Sequence, residues 1–314
     1  MSLSAHVRTL GRGPGRSRSL TEDEAAEAMT LMLEGAAPEA VGALLMLLRM
    51  KGETAPEIAG LARAAQAPLA DWPQVDLDWP CYAAGRTRGL PWFLLSAKLV
   101  AGKGHRVLLH GWNGQDGAIR DGIARLGIPT VATPAQAAQA LENGGIAYLP
   151  LEQAHPALFA LLDLRRRLGL RSCINTVCRM LNPGRATASV QGVFHPSYRL
   201  LQADAAQLLG WRNLSVIKGG GGEFERHPGM DIAGFGLRDS QPWQDSFAAL
   251  TEDHRRLSDL DLPGEALTAL WDRDRGPEFA RQIVLGTAAL ALDTLGQDAD
   301  ATQLWQARPV PQTA

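Results

Sequence analysis

Five short apolar runs recur through the middle of this chain: Arg106 to Leu109, Pro129 to Ala132, Ile146 to Leu149, Val190 to Val193 and Ser215 to Ile217. Runs of that length suit strands and the segments between them suit helices, so the alternation predicts an α/β domain. A different pattern precedes it. Thr21 is placed as an N-cap with Glu24 three residues on, a capping box, and Glu22 and Asp23 fall where the helix dipole favours negative charge. Met29, Met32 and Leu33 keep helical spacing before Gly35; a second helix fits Pro38 to Met50, and Thr54 or Pro56 opens a third through Ala65. Together they predict a small helical domain over residues 21–72, ended by Pro68 and Pro73, ahead of an α/β domain over 73–314. Residues 1–20, rich in Gly, Ser and Arg with Pro14, predict a flexible basic arm.

With 314 residues, 46% apolar and 20% charged, the chain has the composition of a globular protein of about two domains. No run is long and apolar enough for a signal peptide or a membrane span, so a cytoplasmic protein without a membrane partner is expected. Cys81, Cys173 and Cys178 show no metal-ligand spacing and read as small buried hydrophobes. Trp72, Trp79, Trp92 and Trp112 read mainly as packing groups.

The formal net charge of −2 hides a dipolar chain: residues 1–202 hold 21 Lys and Arg against 16 Asp and Glu, whereas 203–314 hold 10 against 17. Beyond the arm, the basic residues cluster as Arg86, Arg88, Lys98, Lys103 and Arg106, and as Arg165, Arg166, Arg167, Arg171, Arg179 and Arg185. Leu161, Leu164 and Leu168 form an apolar stripe, which predicts a helical segment near 161–185 joining the small domain. On it Arg167 and Arg171 would share a face, and Asp163 would pair with Arg167. Arg86 and Arg88 precede Pro91 and a helix running towards Gly102, a natural anion site. The Lys218-Gly219-Gly220-Gly221-Gly222 loop is readable as a phosphate nest or as a plain turn.

From Leu20 to Gln66 the sequence closely resembles the N-terminal helices of anthranilate phosphoribosyltransferases, and Met50-Lys51-Gly52-Glu53-Thr54 is the most specific part of the match. The resemblance continues, weaker but in order, to near residue 300. It implies a small all-helical domain and a larger α/β domain of the anthranilate phosphoribosyltransferase and pyrimidine nucleoside phosphorylase type, within glycosyltransferase family 3. It also implies a homodimer formed through the helical domain. Such enzymes cradle the leaving pyrophosphate of phosphoribosyl pyrophosphate with a Gly-rich loop, a Lys and magnesium.

Against that pattern, Asp78-Trp79-Pro80-Cys81-Tyr82-Ala83-Ala84-Gly85-Arg86 stands where the family reads Gly-Thr-Gly-Gly-Asp. In the Lys-His-Gly element His110 and Gly111 persist, followed by Asn113, but the Lys is Leu109. The metal-binding Asp-Glu pair falls on Phe224 and Glu225, with Glu223 as a substitute if the loop shifts. On the acceptor side His155, Pro156, Arg165 and Asn175 match the family, although His155 equally suits a helix cap, and Gly-Pro-Leu has become Cys178-Arg179-Met180.

These departures resemble the nucleic-acid-binding paralogues of the family. The expectation is therefore a non-catalytic homodimer that binds DNA or RNA with little sequence preference through the two basic clusters, without cofactor or metal. The alternative is a phosphoribosyltransferase using phosphoribosyl pyrophosphate with anthranilate or another aromatic acceptor, with magnesium at Glu223 and Glu225.

Overall fold

The computed structural model describes residues 2–13, 15–83, 89–112 and 117–309. Helices α1 (Leu3–Gly11), α2 (Glu22–Leu33), α3 (Pro38–Lys51) and α4 (Ala55–Gln66) form the N-terminal bundle. The start of α2 follows its sequence: the Thr21 hydroxyl accepts from Glu24 N–H at 3.2 Å, the Glu24 carboxylate accepts from Thr21 N–H at 2.9 Å, and Arg18 holds that carboxylate from outside. The expected flexible arm is corrected by α1. Leu3, Val7 and Leu10 make a short amphipathic stripe that Gly and Arg residues nearby conceal, and Leu3 and Leu10 are buried in the bundle core. Helix α4 lies so close to α2 that a Cβ on Gly60 would come within 2.0 Å of the Glu22 carbonyl oxygen.

The α/β domain holds β1 (Leu77–Cys81), β2 (Val107–Gly111), β3 (Ile146–Pro150), β4 (Ala188–Val193), β5 (Asn213–Lys218), β6 (Ile232–Arg238) and β7 (Gln241–Phe247). They form one sheet in the order β3-β2-β1-β4-β5-β6-β7, parallel through β5, with β6 and β7 antiparallel. Pro129 to Ala132 is not a full strand: only Thr130 bridges to Tyr148. Conversely, Asp78-Trp79-Pro80-Cys81, aligned with a phosphate loop, is the body of β1. The β1–β4 pairing stops at Asp78 opposite Ser189, and Pro80, with no N–H to give, lies beyond it.

Helices α5 (Phe93–Gly102), α6 (Gly117–Arg125), α7 (Pro134–Gly144), α8 (Leu151–Ala154), α9 (Pro156–Asp163), α10 (Arg165–Leu168), α11 (Ile174–Arg179) and α12 (Tyr198–Leu208) intervene between strands, and α13 (Glu265–Arg273), α14 (Glu278–Thr294) and α15 (Ala301–Ala307) follow. One face of the sheet packs Trp79, Leu109, Val190 and Ile217 against α5 and α14. The other joins Leu214, Val216 and Leu237 to a core shared with Met29, Leu45 and Ile58 of the bundle and Leu161, Ile174 and Val177 of α9 and α11. The expected helical segment near 161–185 is divided among α9, α10 and α11: Gly169 is left-handed at φ 68°, so Arg167 and Arg171 share no helical face. Asp163 faces Arg166, at 3.9 Å, instead of Arg167.

Candidate active site

In the sheet order, β1 leads outward to β2 and β3 on one side while β4 and β5 lie on the other, so the chain's direction across the sheet reverses between β1 and β4. Ligands of open α/β sheets bind beyond the carboxyl ends of the strands at such a reversal. There, between the sheet and the bundle, lies a cavity of about 350 Å³. Arg49 of α3, Arg171, Asn175, Arg179, His195 and Tyr198 supply its polar wall, and Leu170, Val193 and Phe194 its apolar one.

Arg179 is the centre of this end of the sheet. Its Nε donates to Gly192 O at 3.0 Å, Nη1 to Asn175 Oδ1 at 2.6 Å, and Nη2 to Tyr82 O at 3.2 Å and Gly222 O at 3.4 Å. It therefore clasps the ends of β1 and β4 and the loop after β5, and burial pulls its pKa down. Arg171 donates to Ala83 O at 3.4 Å, Asn175 Nδ2 to Tyr82 O at 3.4 Å, and Arg49 to Arg171 O at 2.6 Å.

Beneath the cavity runs a chain of buried polar groups. The Tyr82 hydroxyl lies 3.0 Å from His110 Nδ1, and His110 Nε2 lies 3.0 Å from Asp78 Oδ1. Ser189 Oγ donates to Asp78 Oδ2 at 2.7 Å, Gln191 Nε2 to Ser189 Oγ at 3.3 Å and to Arg179 O at 2.9 Å, and Gln202 Nε2 to Gln191 Oε1 at 2.6 Å. Burial drives the Tyr82 phenol well above its ordinary pKa, so it stays a neutral hydroxyl.

The Gly-rich loop is no phosphate nest as placed. Gly219 N–H donates to Val193 O, Gly220 to Glu225 O, Gly222 to Gly219 O and Glu223 to Gly220 O, so these amides are turned inward. The loop is pressed against β4: a Cβ on Gly192 would stand 2.0 Å from the Glu223 carbonyl carbon.

The two carboxylates offered for magnesium do not fit it either. Glu223 and Glu225 are wholly buried; Glu223 Oε1 accepts from Ala83 N–H at 2.8 Å and Glu225 Oε2 from Phe93 N–H at 2.9 Å. Magnesium needs several oxygens in an open octahedron, and amide donors turn their positive ends towards any cation beside them. Phe224, where the first carboxylate of the family pair falls, packs edge-on to Trp79 at 5.5 Å. No group of three or more His, Cys, Asp and Glu side chains able to hold a metal occurs among the described residues. Glu225 also takes up the N-terminal amide of α5, the helix start read as an anion site.

The other predicted residues scatter. His155 serves as the cap of α9, its Nδ1 accepting from Leu158 N–H at 3.2 Å, and burial lowers its pKa; Pro156 is the first residue of that helix. Arg165 stacks over Trp112 at 5.0 Å. Gly111 ends β2, where a Cβ would meet Cys81 O at 2.2 Å. Asn113, Arg86 and Arg88 lie outside the described residues. Sequence reasoning missed Arg49, His195 and Tyr198; Arg49 adjoins the specific Met50-to-Thr54 match, the one local signal that could have found it.

Among the described residues, the predicted basic side chains are not all available on one nucleic-acid surface. Lys98 is half-buried and donates to Leu126 O at 2.8 Å, Arg106 is held by Asp76 at 3.0 Å, Arg179 is buried, and Arg171 turns into the cavity. Lys103, Arg166, Arg167 and Arg185 are exposed, but they lie on separate elements or, for Arg166 and Arg167, on the single turn of α10. Among the described residues no helix is long and apolar enough to cross a membrane.

Comparison with known proteins bears on the two functional expectations. Residues 6–67 match the helical bundle domain and residues 94–298 the α/β domain of the glycosyl transferase family. An anthranilate phosphoribosyltransferase of Roseiflexus castenholzii is 35% identical over 217 residues, 66% of this chain and 62% of that protein, so the matched stretch spans less than two thirds of the relative's length. One from Anaeromyxobacter sp. is 32% identical over 292 residues, 85% of this chain and 82% of that protein. The crystal structure of the Thermus thermophilus anthranilate phosphoribosyltransferase superposes with a TM-score of 0.80 over 97% of this chain and 92% of that one; at 24% identity it speaks for the fold. These relatives carry the transferase name, and the expectation of a non-catalytic DNA- or RNA-binding protein is thereby overturned. The helical domain followed by an α/β domain is as the sequence predicts, and since the α/β match alone covers more than half of it, the chain belongs to glycosyl transferase family 3.

Proposed function

We propose that this protein is a phosphoribosyltransferase that uses an aromatic amine as acceptor in the cavity between bundle and sheet. In that reaction the bond from the anomeric carbon to the pyrophosphate oxygen breaks and one from that carbon to the amine nitrogen forms. Pyrophosphate leaves with the electron pair, and the amine gives up a proton. The reading rests on one observation: a cavity of about 350 Å³ stands at the strand-order reversal in a chain whose relatives are named for this reaction. Phe194, Val193 and Leu170 give an aromatic ring an apolar wall.

The test is turnover of phosphoribosyl pyrophosphate by the full chain with magnesium in the buffer. Anthranilate, the acceptor in the relatives' name, comes first, then other aromatic amines. Pyrophosphate release matched by loss of acceptor is expected, at least about tenfold slower in Asn175→Ala, which loosens both Tyr82 and Arg179. Absence of turnover with every aromatic acceptor would overturn the proposal.

A further inference from the structure

The charges around the cavity are one-sided. Arg49, Arg171 and Arg179 line it together with His195, and among the described lining residues none carries a carboxylate; Glu53, outside the lining, accepts from the Tyr198 hydroxyl at 3.4 Å. Arg179 is the most telling of the three. Its hydrogen bonds, to Gly192, Asn175, Tyr82 and Gly222, all end on neutral oxygens, and no carboxylate among the described residues lies within ion-pair distance of it. A buried guanidinium stays charged and costs several kcal/mol to bury; the buried Glu223 carboxylate, beyond ion-pair distance, offsets part of that, yet burial prevails and lowers the Arg179 pKa. Main-chain carbonyls offset part of that cost, but they are dipoles and leave the net charge in place. The remaining field is open on the side where Arg179 borders the cavity.

The neighbouring arginines reinforce that field where mutual repulsion would otherwise separate them. Arg171 is tethered by its own guanidinium to Ala83 O, and its carbonyl accepts from Arg49, so three cations on three different segments are held at one opening. Such an arrangement suits a small ligand with several negative charges, since planar guanidinium groups match phosphate oxygens in pairs. Meanwhile the two acidic residues that could have held a bridging cation, Glu223 and Glu225, point to the amides of Ala83 and Phe93.

We infer that the diphosphate group of the donor, and free pyrophosphate with it, is bound in this cavity directly by Arg49, Arg171 and Arg179, with no divalent cation held by the protein. The inference rests on the phosphoribosyltransferase reading for the donor's identity; its electrostatic core does not need turnover. Arginine replaces magnesium as the group that neutralises the leaving pyrophosphate, and the protein carries its counter-charge covalently.

Calorimetric titration of the full chain with inorganic pyrophosphate, first in EDTA and then with excess magnesium, tests this. Binding in EDTA is expected, with an affinity within about threefold of that in magnesium and at least about tenfold weaker in Arg171→Ala. Arg49→Ala, which lies on the exposed side of α3, is expected to weaken binding similarly and serves if Arg171→Ala does not fold, with melting curves to check both. Glu225→Gln keeps an acceptor for Phe93 N–H and is expected to leave the affinity unchanged. Binding that needs magnesium, or that Arg171→Ala and Arg49→Ala leave intact, would overturn the inference. Repeating the titration with phosphoribosyl pyrophosphate in EDTA separates the sources of the diphosphate: tighter binding than pyrophosphate identifies the donor, and equal binding identifies the product. Metal-dependent pyrophosphate binding in an active transferase refutes this inference alone, whereas metal-free binding without transfer to any aromatic acceptor refutes the functional reading alone.

Discussion

Arg179 shows how far a single side chain can depart from what its neighbours in sequence suggest. Read along the chain it is one of a run of basic residues; in the fold it is 7% exposed and bonded to segments 4 to 97 residues away. Burial of this kind is set by contacts distant in sequence, so no local pattern announces it. Arg179→Met is expected to lower stability by about 3 kcal/mol in denaturant melts, because Tyr82 O and Gly192 O lose donors at a buried junction. Arg179→Lys should recover little of it, since one ammonium cannot reach carbonyls on three sides. The cysteines, by contrast, were legible: all three are buried, and burial raises the thiol pKa of Cys173 and Cys178. A thiol reagent should label none of them until the chain is unfolded.

Among the elements, those with a chemical start signal were the readable ones. Thr21 and Glu24 mark α2 because the capping box is local. Arg18 and the Thr21 amide pull the Glu24 carboxyl down to about 2, so its contribution is present above its ordinary pKa and is lost as pH falls towards 2. After allowance for solvent screening of this exposed pair, Glu24→Gln is expected to cost about 1 kcal/mol near pH 7 and nothing near pH 2, measured by paired urea melts. Strand β1 was illegible for the opposite reason. Pro80 and Asp78 read as loop residues, and the end of the β4 ladder before Pro80 and the buried Ser189 and His110 partners of Asp78 make them tolerable in a strand. The contact of α2 with α4 is equally invisible in sequence, because Gly60 looks like an unremarkable helical glycine. Gly60→Val should destabilise the protein by about 3 kcal/mol or prevent folding, since its Cβ would meet the Glu22 carbonyl.

At the scale of the whole molecule, the helical domain foreseen in the sequence is not energetically separate. Its core residues Met29, Leu45 and Ile58 belong to one apolar cluster with Leu158, Ile174 and Val177 and with Val216 of the sheet. Heating should therefore give one transition by both helical and aromatic signals, and residues 1–72 alone should not form a cooperative bundle. The candidate site was legible only as a neighbourhood. Asn175 and Arg171 were singled out, but the cavity draws on segments that meet only when the bundle docks, so Arg49, His195 and Tyr198 had no shared signal.

The polar thread from Tyr82 through His110, Asp78, Ser189 and Gln191 to Gln202 crosses β2, β1, β4 and α12. Apolar strands alone would slide past one another at modest cost, because one Val or Leu replaces the next. Here Asp78 must stand opposite Ser189 and Pro80 opposite His110. A shift of one residue would send these groups to the other face and strand each donor in an apolar layer. The thread thus acts as an alignment key for the sheet, and it ends at Gln202 in the cavity wall, so the shape of the cavity is tied to the register of the strands.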